Sequence, residues 1–263
     1  MAIADEIDYT IHGTEMQFVE IGLDPGESVL AEAGGMMYMT DGIEMSTRMG
    51  TRGDEGALGK LLSAGKRVMT GESLFITVFT YKGQGKGRVA FGAPYPGKIV
   101  PMNLAELGTM LCQKDSYLCS ADGIDVGVAF SKRFGAGLFG GEGFILQKLS
   151  GNGWAFCHAG GTIVQLDLKA GQKLRIDTGC IAAFQQQVGY DIQFSGGVKT
   201  ALFGGEGLFL ATLTGPGRVF LQSLPFSRLA GRMYAAASRG GGKHKGEGSL
   251  LGGLGSLIGG DNR

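Results

Sequence analysis

The stretch Leu138-Phe139-Gly140-Gly141-Glu142-Gly143-Phe144-Ile145-Leu146 returns as Leu202-Phe203-Gly204-Gly205-Glu206-Gly207-Leu208-Phe209-Leu210. A degenerate third version reads Met69-Thr70-Gly71-Glu72-Ser73-Leu74-Phe75-Ile76. Sliding residues 97–160 onto 161–224, an offset of 64, gives 17 identities without a gap. Phe130-Ser131 falls on Phe194-Ser195, Gly151-x-Gly153 on Gly215-x-Gly217, and Phe156 on Phe220. The first copy is looser. Leu23-Asp24-Pro25-Gly26-Glu27 matches Leu168-Lys169-Ala170-Gly171-Gln172, Asp41-Gly42-Ile43-Glu44 matches Asp122-Gly123-Ile124-Asp125, and Gly85-Lys86-Gly87-Arg88-Val89 matches Gly215-Pro216-Gly217-Arg218-Val219. Gly42 to Glu72 spans 30 residues and Gly123 to Glu142 spans 19, so the first copy carries an insert of 11, placed within 46–68. Self-similarity at a fixed period implies units that cover one another's apolar faces, and units this short bury little surface alone. The expected organisation is a first β module at 1–96, a second at 97–160 and a third at 161–225. A short capping helix at 226–237 and a Gly-rich tail at 238–263 follow.

Most of residues 8–225 read as short strands. Asp8–Ile11 and Gln17–Ile21 alternate with period two. Asp41-Gly42, Asp122-Gly123 and Asn152-Gly153 supply the positive φ that tight turns need. Glycine is 50 of 263 residues, and its recurrence at equivalent positions marks turns and bulges rather than low complexity. Helix is expected in two places, 54–62 within the insert and 226–234 after the third copy. The fold class is all-β with minor helix.

The charges balance, 24 basic against 24 acidic, so nothing favours nucleic acid or an anionic membrane. The acidic start, Met1–Glu6, lacks the apolar core of a signal peptide, and a cytoplasmic protein is expected. In the repeat alignment Cys112, Cys119 and Cys157 fall on Ile176, Ala183 and Leu221. They read as buried thiols packing like small hydrophobes. His12, His158 and His244 form no ligand spacing, and no metal or cofactor is expected.

The acid retained in all three copies is Glu72, Glu142 and Glu206. Catalysis needs a partner of matched chemistry, and none recurs beside it. A structural role, accepting from backbone N–H groups at a glycine bulge, fits better than a ligand site. Glu142→Gln and Glu206→Gln are expected to keep the fold and assembly. The Leu variants should lose about 1–3 kcal/mol for each buried donor left unpaired, and matching melts for the Gln and Leu variants would contradict the structural role. Gly135–Gly140 matches G-x-G-x-x-G but precedes a strand-like run instead of opening a helix, which excludes a dinucleotide site. Gly83–Arg88 is basic and glycine-rich, yet its counterparts are short turns, so it reads as a lengthened hairpin turn.

The segments Ala33–Met39, Gly71–Phe75, Phe139–Gly143, Gly160–Thr162 and Leu250–Gly255 resemble the mitochondrial-biogenesis family named for altered inheritance of mitochondria, in its prokaryotic branch. The resemblance implies a fold like that of the tryptophan RNA-binding attenuation protein, with a small double-stranded β-helix or β-sandwich module present three times. It also implies a homotrimer forming a pseudo-ninefold ring. RNA binding does not follow, because Lys82, Lys86 and Arg88 belong to the first copy alone and such binding rests on repeated phosphate neutralisation. The expected function is a non-enzymatic ring-forming scaffold or interaction protein. The alternative is a small-molecule-binding ring with sites between modules near the three glutamates. In the tail, Leu250, Leu251, Leu254, Leu257 and Ile258 follow helical spacing and make a candidate anchor for a protein or membrane-surface partner.

Overall fold

The computed structural model describes residues 4–32, 34–49, 75–132, 144–194 and 209–237. Contacts divide the chain after Phe226 into a β-rich unit and a C-terminal unit. The chain begins with β1 (Asp8–His12), β2 (Phe18–Leu23), β3 (Ser28–Glu32), β4 (Met36–Met39), β5 (Ile43–Met49), β6 (Phe75–Tyr81) and β7 (Gly87–Gly92). Next come β8 (Gly97–Asn103), the one-turn helix α1 (Leu104–Leu107), β9 (Met110–Gln113), the 3-10 turn η1 (Lys114–Ser116), β10 (Tyr117–Ala121), β11 (Asp125–Lys132), β12 (Phe144–Ser150) and β13 (Trp154–Gly160). The last group is β14 (Ile163–Leu168), β15 (Lys173–Asp177), the 3-10 turn η2 (Thr178–Cys180), β16 (Ile181–Gln185), β17 (Gly189–Phe194), β18 (Phe209–Thr214) and β19 (Gly217–Gln222). The helix α2 (Phe226–Ala237) falls on the segment where the sequence predicts one.

The strands form four antiparallel sheets, ordered β1-β2-β7-β4, β5-β6-β3-β10-β13-β8, β11-β12-β9-β16-β19-β14 and β15-β18-β17. Period-two patterning drives the packing. On β2, Val19, Ile21 and Leu23 are fully buried while the residues between them are not. They meet Val29, Ala31 and Val78 of the second sheet in one core, where Phe79 and Phe91 pack edge to face with centroids 5.3 Å apart. A second core joins Ile181, Phe184 and Val219 to Ala211 and Leu213. Each buried Val, Leu, Ile or Phe side chain among them contributes about 1.5–3 kcal/mol.

The matched segments of the sequence make matched local structure. Glu27 accepts from the Asp24 N–H at 2.7 Å, and Gln172 accepts from the Lys169 N–H at 2.9 Å. Both turns carry a glycine at positive φ, Gly26 at 95° and Gly171 at 73°. Strand bulges fall between Met36 and Tyr38, between Tyr117 and Cys119, and between Ile181 and Ala183. One boundary differs from the sequence reading. β5 runs to Met49, pairing Ser46 with Val78 and Thr47 with Thr77, so positions 46–49 are strand and not insert. Cys112, Cys119 and Cys157 are buried, and none of the four cysteines is in a disulfide.

Candidate functional site

The candidates Glu72, Glu142 and Glu206 lie outside the described residues, as do Leu250, Leu251, Leu254, Leu257, Ile258, the stretch Gly135–Gly140 and the helix expected at 54–62. The loop Gly83–Arg88 is described. Its Lys86 ammonium contacts Asp8 at 2.6 Å and Asp24 at 3.2 Å, and the Asp8 contact raises its pKa ahead of the Asp24 one. Arg88 faces Glu20 at 3.7 Å. These cations are matched within the chain, which agrees with a turn and not an anion cradle.

Two features of the β-rich unit stand out instead. The first is a pair of open strand edges. β10 pairs with β13 on one side and β3 on the other, and β16 pairs with β19 and β9. Their bulge-matched counterpart β4 pairs with β7 alone. β3 pairs with β6 and β10, and β9 with β12 and β16. Their counterpart β15 pairs with β18 alone. Among the described residues, β4 and β15 are therefore the two strands whose counterparts carry a partner that they lack. Backbone direction fits this. The Thr40 N–H donates to the Arg88 carbonyl at 2.9 Å, so alternation turns the Met39 N–H to the open side. The Gly215 N–H donates to the Gln172 carbonyl at 2.9 Å, which by the same alternation turns the Arg175 N–H outward. β4 is apolar but exposed, with Met37 at 53% and Tyr38 at 41%. The Tyr38 hydroxyl donates to the Glu20 carboxylate. An exposed apolar edge is a template for strand pairing that folded proteins normally cover.

The second feature is a cavity of about 540 Å³ where β3 meets β10. Phe18, Met36, Met37 and Leu118 supply apolar wall, while Glu32, Asp115 and His158 supply polar groups. His158 is 1% exposed, and neither ring nitrogen has a hydrogen-bond partner. Burial pulls its pKa down to about 4, so the ring is neutral at physiological pH. The Tyr95 backbone opposes that shift from nearby without meeting hydrogen-bond geometry. The Tyr95 ring stands edge-on, 4.3 Å from the imidazole. Burial raises the Glu32 carboxyl pKa, Asp115 adds to the rise, and Lys114 opposes it. Sequence reading passed over His158 because a lone histidine carries no ligand spacing. The available signal was its position 64 residues before Gln222.

The family profile described as Mitochondrial biogenesis AIM24 matches residues 9–224, which include both features. This chain belongs to that family. An uncharacterized protein of Streptococcus pyogenes serotype M6 is similar, 32% identical over 222 residues that make up 83% of this chain and 86% of that protein. The crystal structure of a Streptococcus pyogenes protein superposes with a TM-score of 0.69 at 27% identity, covering 88% of this chain and all of that one. The β-rich architecture is thus shared with a solved structure. Among the described residues no helix is long and apolar enough to cross a membrane.

Proposed function

We propose that this AIM24-family chain is a non-enzymatic interaction protein that assembles head to tail, β15 of one copy pairing antiparallel with β4 of the next. Three copies close the ring. The observation that carries this reading is the shared register of the two internal junctions. Ala31 opposes Cys119 and Leu30 opposes Ser120 at the first, and Cys112 opposes Ala183 and Leu111 opposes Phe184 at the second. Carrying that register to the open edges sets Tyr38 against Ile176 of the next copy, and Met39 against Arg175. The outward N–H groups of Met39 and Arg175 agree with it. The three strands β17-β18-β15 joined to β4-β7-β2-β1 of a neighbour would make a continuous sheet, like the two six-stranded sheets already within the chain.

In such a ring the three tails, residues 238–263, share one body. Linked weak contacts gain through effective concentration, which suits a scaffold holding a partner through the apolar positions Leu250 to Ile258. The sequence supplies ten glycines in these 26 residues, each costing helix about 1 kcal/mol relative to Ala, so the anchor would order on its partner. Deleting 240–263 should leave the three-chain assembly and its melting temperature nearly unchanged, the mass falling only by that of the removed residues, and abolish partner capture from the host in a pulldown. Dissociation or aggregation of the truncated protein would place the tail in the assembly core instead.

A further inference from the structure

The two internal strand junctions are built alike but filled differently. At the β9–β16 junction the side chain of Gln222, 4% exposed, closes the space between strands. Its Oε1 accepts from the Gly160 N–H at 2.9 Å. Its Nε2 donates to Gln113 Oε1 at 3.0 Å and to the Gly179 carbonyl at 2.8 Å. At the β3–β10 junction every one of these positions has changed. Residues 64 earlier, Gln222 becomes His158, Gly160 becomes Pro96, and Gly179 becomes Asp115. Gln113 is replaced by Glu32, since Ala31 and Cys112 hold the same register.

The chemistry of the junction follows from these exchanges. Pro96 has no N–H to donate. The neutral amide plug is gone, and an imidazole with two unpartnered nitrogens stands in its place. Buried polar atoms normally have partners, and the His158 nitrogens, enclosed at the cavity wall without one, would gain a partner from a molecule that reaches the ring. The carboxylates Glu32 and Asp115 line the same space, and among the described residues neither lysine nor arginine lines it with them, the Lys114 charge acting on Glu32 from outside the lining. A positive charge inside the cavity would offset the burial of Glu32 and its repulsion by Asp115. The volume decides between an ion and a molecule: about 540 Å³ lies within the roughly 300–1,000 Å³ of organic-ligand pockets and far exceeds the space of a bare cation. Phe18, Met36, Met37 and Leu118 call for an apolar body, and methionine walls adapt to varied shapes.

We propose that the β3–β10 cavity binds a small organic cation, a primary amine carrying an apolar or aromatic body, with its ammonium held by Glu32 and His158 and its body against Met36, Met37 and Phe18. The site lies within one chain and does not depend on the ring. Calorimetric titration of the full-length protein tests it with phenethylamine as probe, 2-phenylethanol as its neutral analogue and phenylacetate as its anionic one. The amine should bind with sub-millimolar affinity, and both analogues at least tenfold more weakly. Glu32→Gln should weaken the amine at least tenfold. His158→Gln restores the residue type of the other junction, so it should fold normally and weaken the amine likewise. Equal affinity for the three probes, binding unchanged in both variants, or no amine binding at millimolar concentration would each overturn the proposal. A preference for phenylacetate would overturn it too.

Discussion

Met39→Pro is expected to convert the proposed three-chain assembly, about 82 kDa from chains of 27.4 kDa, into a folded monomer near one third of that mass. Proline removes a single backbone donor. The alternation set by the Thr40 bond to Arg88 aims that donor away from β7, so no hydrogen bond inside the chain is lost. Proline is tolerated on an edge strand whose N–H faces outward, and the monomer's far-ultraviolet spectrum should match that of the parent. The N–H of Arg175 faces outward in the same way on β15, so Arg175→Pro should act identically from the other side of the junction. Multi-angle light scattering at micromolar concentration reads both variants. If each keeps the parent mass, the copies do not join through these two edges.

Phe156→Ala should produce a large loss of stability. Phe156 is fully buried, and its ring lies 4.9 Å from Tyr9 and 6.4 Å from Trp154. It ties the first sheet, through β1, to the second through β13. Removing a buried phenylalanine costs about 3–5 kcal/mol, the transfer term plus the cavity left behind. For a chain of this size that corresponds to a melting temperature lower by roughly 6–20 °C. Trp154 is the only tryptophan and packs on the same aromatic group, so its fluorescence reports the transition directly. A shift below 2 °C would mean that the surrounding side chains collapse into the space and that this cluster does not join the two sheets.

The strand-rich character was legible in the sequence wherever alternation and turn chemistry coincide. Val19, Ile21 and Leu23 alternate, and Pro25-Gly26-Glu27 turns as its match Ala170-Gly171-Gln172 turns, down to the side chain that accepts from the residue three positions back. The end of β5 was not legible. Ser46 and Thr47 look like insert residues until their pairing with β6 is seen. The open edges could not be read either, because an unpaired strand and a paired one have the same local pattern, and pairing is set by residues about 90 positions apart, as for Ala31 and Cys119. The cavity was half legible. The exchanges of Gln222 for His158 and Gly160 for Pro96 stand in the alignment of the copies. Their meaning depends on three hydrogen bonds that only the folded junction reveals. Glu72, Glu142 and Glu206 drew attention through recurrence alone, and the Gln and Leu variants of Glu142 and Glu206 described above are the test of a structural reading.

The assembly register is open to one direct measurement. Directly opposed residues on antiparallel strands have Cα atoms about 5.5 Å apart when they form a hydrogen-bonded pair, within the span a disulfide bridges. Met39→Cys combined with Arg175→Cys should therefore cross-link between copies under mild oxidation. Denaturing gels should show covalent dimers and trimers and no larger species, as a closed ring of three requires. Neither single variant should form that ladder, nor should the displaced pair Met37→Cys with Arg175→Cys. No covalent ladder from the matched pair, or an equal one from the displaced pair, would contradict strand pairing between β15 and β4 in this register.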